Sequence, residues 1–224
     1  MIRTHSTDRI RRITLDRPGR RNALTPDGLD QLAHAVSETD EPVVYLSGAG
    51  SAFCAGADLD VVEELEDGRA FAERGQRTAR TISEAESVVV AGIDGPARGG
   101  GLELALACDV RVATPEATFG EPGVTLGLFG AWGGTVRLPR TVGSAHAMDL
   151  TLSGRAIDAE EARRMGLISR IVDDPVNVAR EIAANDHRVL TLLKERIRDD
   201  SSTSEQEAAE AAVFAELVDR RSRR

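Results

Sequence analysis

Two glycine-rich segments hold the residues whose types and spacing suit chemistry. Residues 48–59 read GAGSAFCAGADL, and residues 95–103 read GPARGGGLE and run into an apolar stretch. Glycine lets backbone N–H groups approach a ligand closely. A helix start leaves its first N–H groups unpaired and carries partial positive charge. Two such donors aimed at one point form an oxyanion hole, which stabilises negative charge developing on a carbonyl oxygen. Taken singly, each segment also fits an ordinary strand-to-helix turn. Cys54 lies inside the first segment, but no His or other base adjoins it, so it reads as a small buried thiol. His5, His34, His146 and His187 stand at no metal-ligand spacing.

The elements that must position these segments follow from the rest of the chain. Its 224 residues and 41% apolar content suit one domain, or one domain with a small appendage. No apolar run reaches the roughly 20 residues of a membrane span, and the N-terminus MIRTHSTDRIRR has no apolar targeting core. Two cysteines make neither a disulfide framework nor a zinc cluster, and a reduced, cytoplasmic protein is expected. The net charge of −9 and 3% aromatics argue against a nucleic-acid surface. Of 28 basic residues all but Lys194 are arginine, which leaves one side chain for Schiff-base chemistry, in a polar helical context. The skew fits a GC-rich genome or a salt-rich cytoplasm equally. No Walker-type phosphate loop, HExxH, CxxC or GxSxG motif occurs.

Residues 10–15 alternate as a strand, and RPGRRNALTP follows as a turn. Thr25 caps a helix with Pro26 at its first position, running to about Ser37. Strands are expected near 42–46, 88–93 and 110–113, and a charged, partly exposed helical segment over 60–87. An apolar helix over 102–107 follows the glycine run. From Asp158 the pattern turns mostly helical, closing on a helix over 205–221 and the basic cluster Arg220, Arg221, Arg223 and Arg224, read as a solvated helix end. The fold class is α/β, with a boundary near 160.

In order, these segments resemble the crotonase superfamily, also called the enoyl-CoA hydratase/isomerase family. The likeness rests on LDRPGRRNAL, SAFCAGADL, GPARGGGLELALACDVRVA, TFGEPGVTLGLFGAWGGTVRLPRTVG and SGRAIDAEEARRMGLISRIV. It implies a spiral of ββα turns over 1–160 holding an acyl-CoA site, and a helical region over 161–224 that packs subunits into homotrimers or dimers of trimers. It also implies an enolate of an acyl-CoA thioester, held by the backbone N–H groups of Ala57 and Gly100. Ala23, Leu24, Ala55, Asp58 and Leu59 fall where the family holds the CoA chain. Arg20 and Arg21 read as partners for CoA phosphates or as solvated surface arginines, and Trp132 as a wall of the acyl pocket or as core. The substrate is then a CoA thioester, and no metal, redox cofactor, nucleic acid or membrane partner is implied.

One departure concerns the acids. A hydratase of this family uses two glutamates, one activating water and one protonating the α-carbon. Glu103 matches the first. Gly123 stands where the family's FGxPE pattern places the second. Glu103 alone, Glu121 as substitute, or a group of the substrate or a bound anion filling the space at Gly123 are the alternatives. Non-hydratase enolate chemistry (isomerisation, decarboxylation or ring closure) and acyl-CoA binding without catalysis are the alternative functions.

Overall fold

The computed structural model describes residues 1–222; Arg223 and Arg224 of the basic terminal cluster lie outside the described residues. The chain runs β1 (Ile2–Thr7), β2 (Ile10–Leu15), α1 (Pro26–Ser37), β3 (Val43–Gly48), α2 (Leu59–Glu63), α3 (Gly68–Glu84), β4 (Val88–Ile93), β5 (Pro96–Arg98) and α4 (Gly100–Ala107). It continues through β6 (Val110–Ala113), β7 (Thr118–Gly120), α5 (Gly134–Ser153), β8 (Ala156–Asp158), α6 (Ala159–Arg164), β9 (Arg170–Ile171), α7 (Val176–Ala183), α8 (His187–Arg198) and α9 (Thr203–Ser222).

Two sheets organise this alternation. One has the order β1-β2-β3-β4-β6-β9, and the other β5-β7-β8. Every pair in the first is parallel except β1 with β2. Each parallel step needs a crossover, supplied by α1 between β2 and β3 and by α3 between β3 and β4. β4 is buried along its whole length, VVVAGI, as a central strand covered on both faces must be.

The helix starts follow local chemistry. Thr25 accepts a hydrogen bond from the Gly28 N–H, with Pro26 in the first turn. The 60–87 segment divides into α2 and α3, each opened by an Asp side-chain cap, Asp58 and Asp67. Asp109 ends a helix-to-strand turn by accepting the Val89 N–H at 2.7 Å. The strand β1 was not foreseen. Its hairpin turns on Asp8 and Arg9, both at positive φ (51° and 64°), the two-residue geometry that suits a hairpin but here carries no glycine to mark it.

The chain forms two compact units, Met1–Ala184 and Asn185 onward. The first reaches past the expected boundary at 160 because β9 pairs with β6 and α7 packs on β2 and β3. The second consists of α8 and α9, joined by ion pairs of Arg188 with Glu216 (3.2 Å) and Arg220 with Asp186 (3.3 Å). Among the described residues, no helix is long and apolar enough to cross a membrane.

Candidate active site

The first glycine-rich loop is braced by one asparagine. Asn22, 1% exposed, accepts the Arg17 N–H and donates to the carbonyls of Ala49, Ala52 and Phe53 at 2.9, 2.7 and 3.2 Å. It does so from the left-handed region (φ 57°), which asparagine tolerates better than most residues. Leu24 then pairs with Ala57 as an isolated parallel bridge: the Leu24 N–H donates to Gly56 and the Leu24 carbonyl accepts from Asp58. Ala55 donates to the Arg21 carbonyl at 2.9 Å, and Ala23 and Leu24 are buried. Sequence pattern marked Asn22 only as turn punctuation; its role as the hub became legible in three dimensions.

Asp58 is buried beneath two guanidinium groups. Arg17 and Arg20 both pair with it, holding its carboxyl below the usual range, Arg17 foremost, while its side chain also caps α2. Arg20 pairs with Asp60 as well, so its charge is matched within the protein. Arg21 is exposed and forms no ion pair among the described residues. Leu59 is exposed at the start of α2.

The second loop is laced to the first. Cys54 donates its N–H to Pro96, and its carbonyl accepts the Arg98 N–H at 2.9 Å. The contact is close enough to require glycine. A Cβ on Gly56 (φ +95°) would lie 2.9 Å from the Gly100 nitrogen, and one on Gly101 would lie 2.2 Å from the Cys54 carbonyl oxygen. The residue preceding Ala57 therefore lies against the Gly100 N–H, at the first turn of α4. Neither the Ala57 nor the Gly100 N–H donates to another protein group among the described residues. Cys54 is fully buried, its thiol pushed up to about 12 by burial, which removes it as a nucleophile.

Trp132 backs this junction. Its indole fits between Gly75 of α3 and Gly100 of α4: an added Cβ would meet the ring at 2.1 Å and 2.2 Å respectively. Phe71 packs edge-on against it at 5.8 Å. The side chain is 3% exposed and is core.

Glu103, 1% exposed, projects from the first turn of α4. Its Oε1 accepts the N–H groups of Trp132 (2.9 Å) and Gly134 (2.6 Å). Added Cβ atoms on Gly130 and Gly134 would lie 2.7 and 2.8 Å from its carboxyl group, so both must be glycine for the loop to close over it. Burial raises its pKa against the pull of these N–H donors. Glu121, 5% exposed, is pushed up to about 8 by burial and by the charge of Glu103. It borders a cavity of about 230 Å³ with Val124, Phe129, Gly130, Leu138 and Met148. A Cβ on Gly123 would lie 3.0 Å from the Leu128 carbonyl oxygen and the Phe129 Cα. The turn Pro122–Leu126 folds back so that Leu128 donates to the Gly123 carbonyl.

The structure thus gathers Ala57, Gly100, Glu103 and Glu121, sets Asp58 and Arg20 against each other, and places Trp132 in the core. Gly130 and Gly134 escaped sequence reasoning, although the run GAWGG carried the signal.

A family model described as enoyl-CoA hydratase/isomerase matches residues 5–224. A probable enoyl-CoA hydratase of Mycobacterium bovis is 39% identical over 181 residues, which are 78% of this chain and 70% of that one. The short-chain-enoyl-CoA hydratase of Clostridium acetobutylicum is 38% identical over 180 residues, 76% and 69% of the two chains. The crystal structure of enoyl-CoA hydratase from Bacillus anthracis superposes with a TM-score of 0.89 at 31% identity, over 97% of this chain and 90% of that one.

Proposed function

We propose, for a chain that belongs to the enoyl-CoA hydratase/isomerase family, that it stabilises the enolate of an acyl-CoA thioester between the N–H groups of Ala57 and Gly100. The observation that carries this reading is the close approach of the two loops at Gly56 and Gly100, with both N–H groups free of protein acceptors among the described residues. A developing enolate oxygen needs fixed donors that do not reorganise during the reaction. The hydrogen-bond bracing by Asn22 and the packing of Trp132 behind Gly100 hold them.

Glu103 is the group that moves the proton. Its Oε1 is engaged by two N–H donors, which orient the carboxylate and leave Oε2 for the reacting atoms. No metal or redox cofactor enters this reading, because the thioester supplies its own α-carbon acidity. Arg21 is the better candidate for a CoA phosphate, since Arg20 is matched by Asp58 and Asp60. Exposed Leu193, Ile197, Phe214 and Val218 on α8 and α9 support packing of the C-terminal unit into a homotrimer or a dimer of trimers.

Gly123 favours a second reading, enolate chemistry other than hydration. The test is a panel of acyl-CoA thioesters incubated with the protein and analysed for products by mass spectrometry. Turnover of a 2-enoyl thioester supports the proposal. Tight binding with no product from any member contradicts it in favour of a binding protein.

A further inference from the structure

The strand register sets Glu121 beside the oxyanion turn. In the parallel pair of β5 with β7, Arg98 lies opposite Gly120, and the Gly99 N–H donates to the Gly120 carbonyl at 3.0 Å. Glu121 is therefore level with Gly99, one residue before Gly100. Glu103 hangs from the same turn of α4. Two independent segments thus bring carboxyl groups to one place, although the remainder of α4, β6 and β7 lie between them in sequence.

The two carboxyl groups differ in their bonding. Glu103 has its two N–H donors. Glu121 Oε1 is buried and has no hydrogen-bond partner among the described residues. A buried polar atom left unpaired costs about 1–3 kcal/mol, and in native proteins such atoms are few. Glu121 also forms part of the wall of the apolar cavity that Gly130 and Gly134 share, the two glycines that enclose Glu103. The rest of that lining is largely apolar.

We infer that Glu121 is the second proton-transfer group of this site, taking the part of the acid missing at position 123, and that the reaction is hydration of a 2-enoyl-CoA thioester with an apolar acyl group. The inference rests on the enolate reading above. Water oxygen bonds to C3 while the C2=C3 π pair shifts to form the enolate, whose oxygen is held by Ala57 and Gly100. The Glu103 carboxylate takes the proton of that water. The enolate then re-forms the thioester carbonyl as C2 takes the proton of the Glu121 carboxyl. Water has been added across the double bond, Glu103 is protonated and Glu121 ionised. Transfer of the proton from Glu103 to Glu121 resets the pair. The high pKa of Glu121 keeps it protonated at neutral pH, as an acid must be, and Glu103 is the charged group facing it. Val124, Phe129, Leu138 and Met148 supply the apolar lining for the acyl group.

The full chain is assayed with crotonyl-CoA for hydration and with butyryl-CoA in deuterated water for exchange at C2, by NMR. Glu121→Gln is expected to lower hydration by about 10²–10⁴-fold and to lower exchange in parallel, with CoA affinity unchanged; Glu121→Asp is expected to recover part of both. In the unaltered protein, hydration should fall as pH rises through about 8, an outcome that needs no variant to fold. Hydration by Glu121→Gln within threefold of the parent, or a flat profile to pH 9, overturns the inference and leaves the enolate reading standing. Exchange without hydration in the parent does the same. A parent that neither exchanges nor hydrates removes the enolate reading itself.

Discussion

The two sides of the candidate site are held by different means. On the side of residues 17–58, polar groups find partners: Asn22 spans four backbone groups, Asp58 sits under two arginines, and Leu24 is bridged to Ala57. On the side of residues 121–134, geometry comes from packing. An indole lies between two glycines, glycines close over Glu103, and Glu121 keeps a buried oxygen without a partner among the described residues. A region that must present fixed backbone donors gains from satisfied hydrogen bonds. Under the proposed function, the region that moves protons keeps a group unsatisfied and loses stability by doing so.

The largest expected effect breaks the packed side. Trp132→Ala should lower unfolding free energy by about 4 kcal/mol, the range for emptying a buried aromatic site, as read by urea denaturation. It should also weaken catalysis, because the indole supports Gly100.

The unsatisfied side is sharpened by pH. Glu121 titrates near 8 when folded and near 4.3 when unfolded. Its contribution to stability is fully present below about pH 4, where both states are protonated, and is lost as pH rises towards 8, where only the folded state still holds the proton. Between pH 5 and 7 the parent should lose about 3 kcal/mol through this group. Glu121→Gln should show a flatter stability profile over that interval; equal slopes would remove the asymmetry between the two sides.

The braced side should yield less to a single change. Asn22→Ala should cost about 2 kcal/mol, from unpaired buried carbonyls and from alanine in the left-handed region. A thermal melt measures it. The smallest effect separates the paired arginine from the unpaired one. Arg21→Ala should raise KM for an acyl-CoA roughly fivefold, the scale of one exposed charge contact. Arg20→Ala should change it less, since its charge is matched by Asp58 and Asp60.

Much of this was legible in the sequence, for local reasons. The Thr25-Pro26 cap, the strands over 10–15, 88–93 and 110–113 and the helix after the glycine run follow from spacing and cap chemistry, and each appears in the structure. The family follows from motif order. What sequence could not yield was set by long-range contact. The β1 hairpin lacks a glycine. The first unit extends to Ala184 because β9 and α7 pack back on the sheet. Trp132 is core because Gly75, 57 residues earlier in the chain, leaves room for it. The burial of Glu121 depends on pairing of β5 with β7, which no local pattern announces.

The most direct test of the central claim is the turnover of crotonyl-CoA by Glu103→Gln beside its CoA affinity by calorimetry. Loss of turnover by at least about 10³-fold with affinity nearly unchanged is the result expected if Glu103 moves the proton at an enolate held by Ala57 and Gly100. Parental turnover in that variant would contradict it.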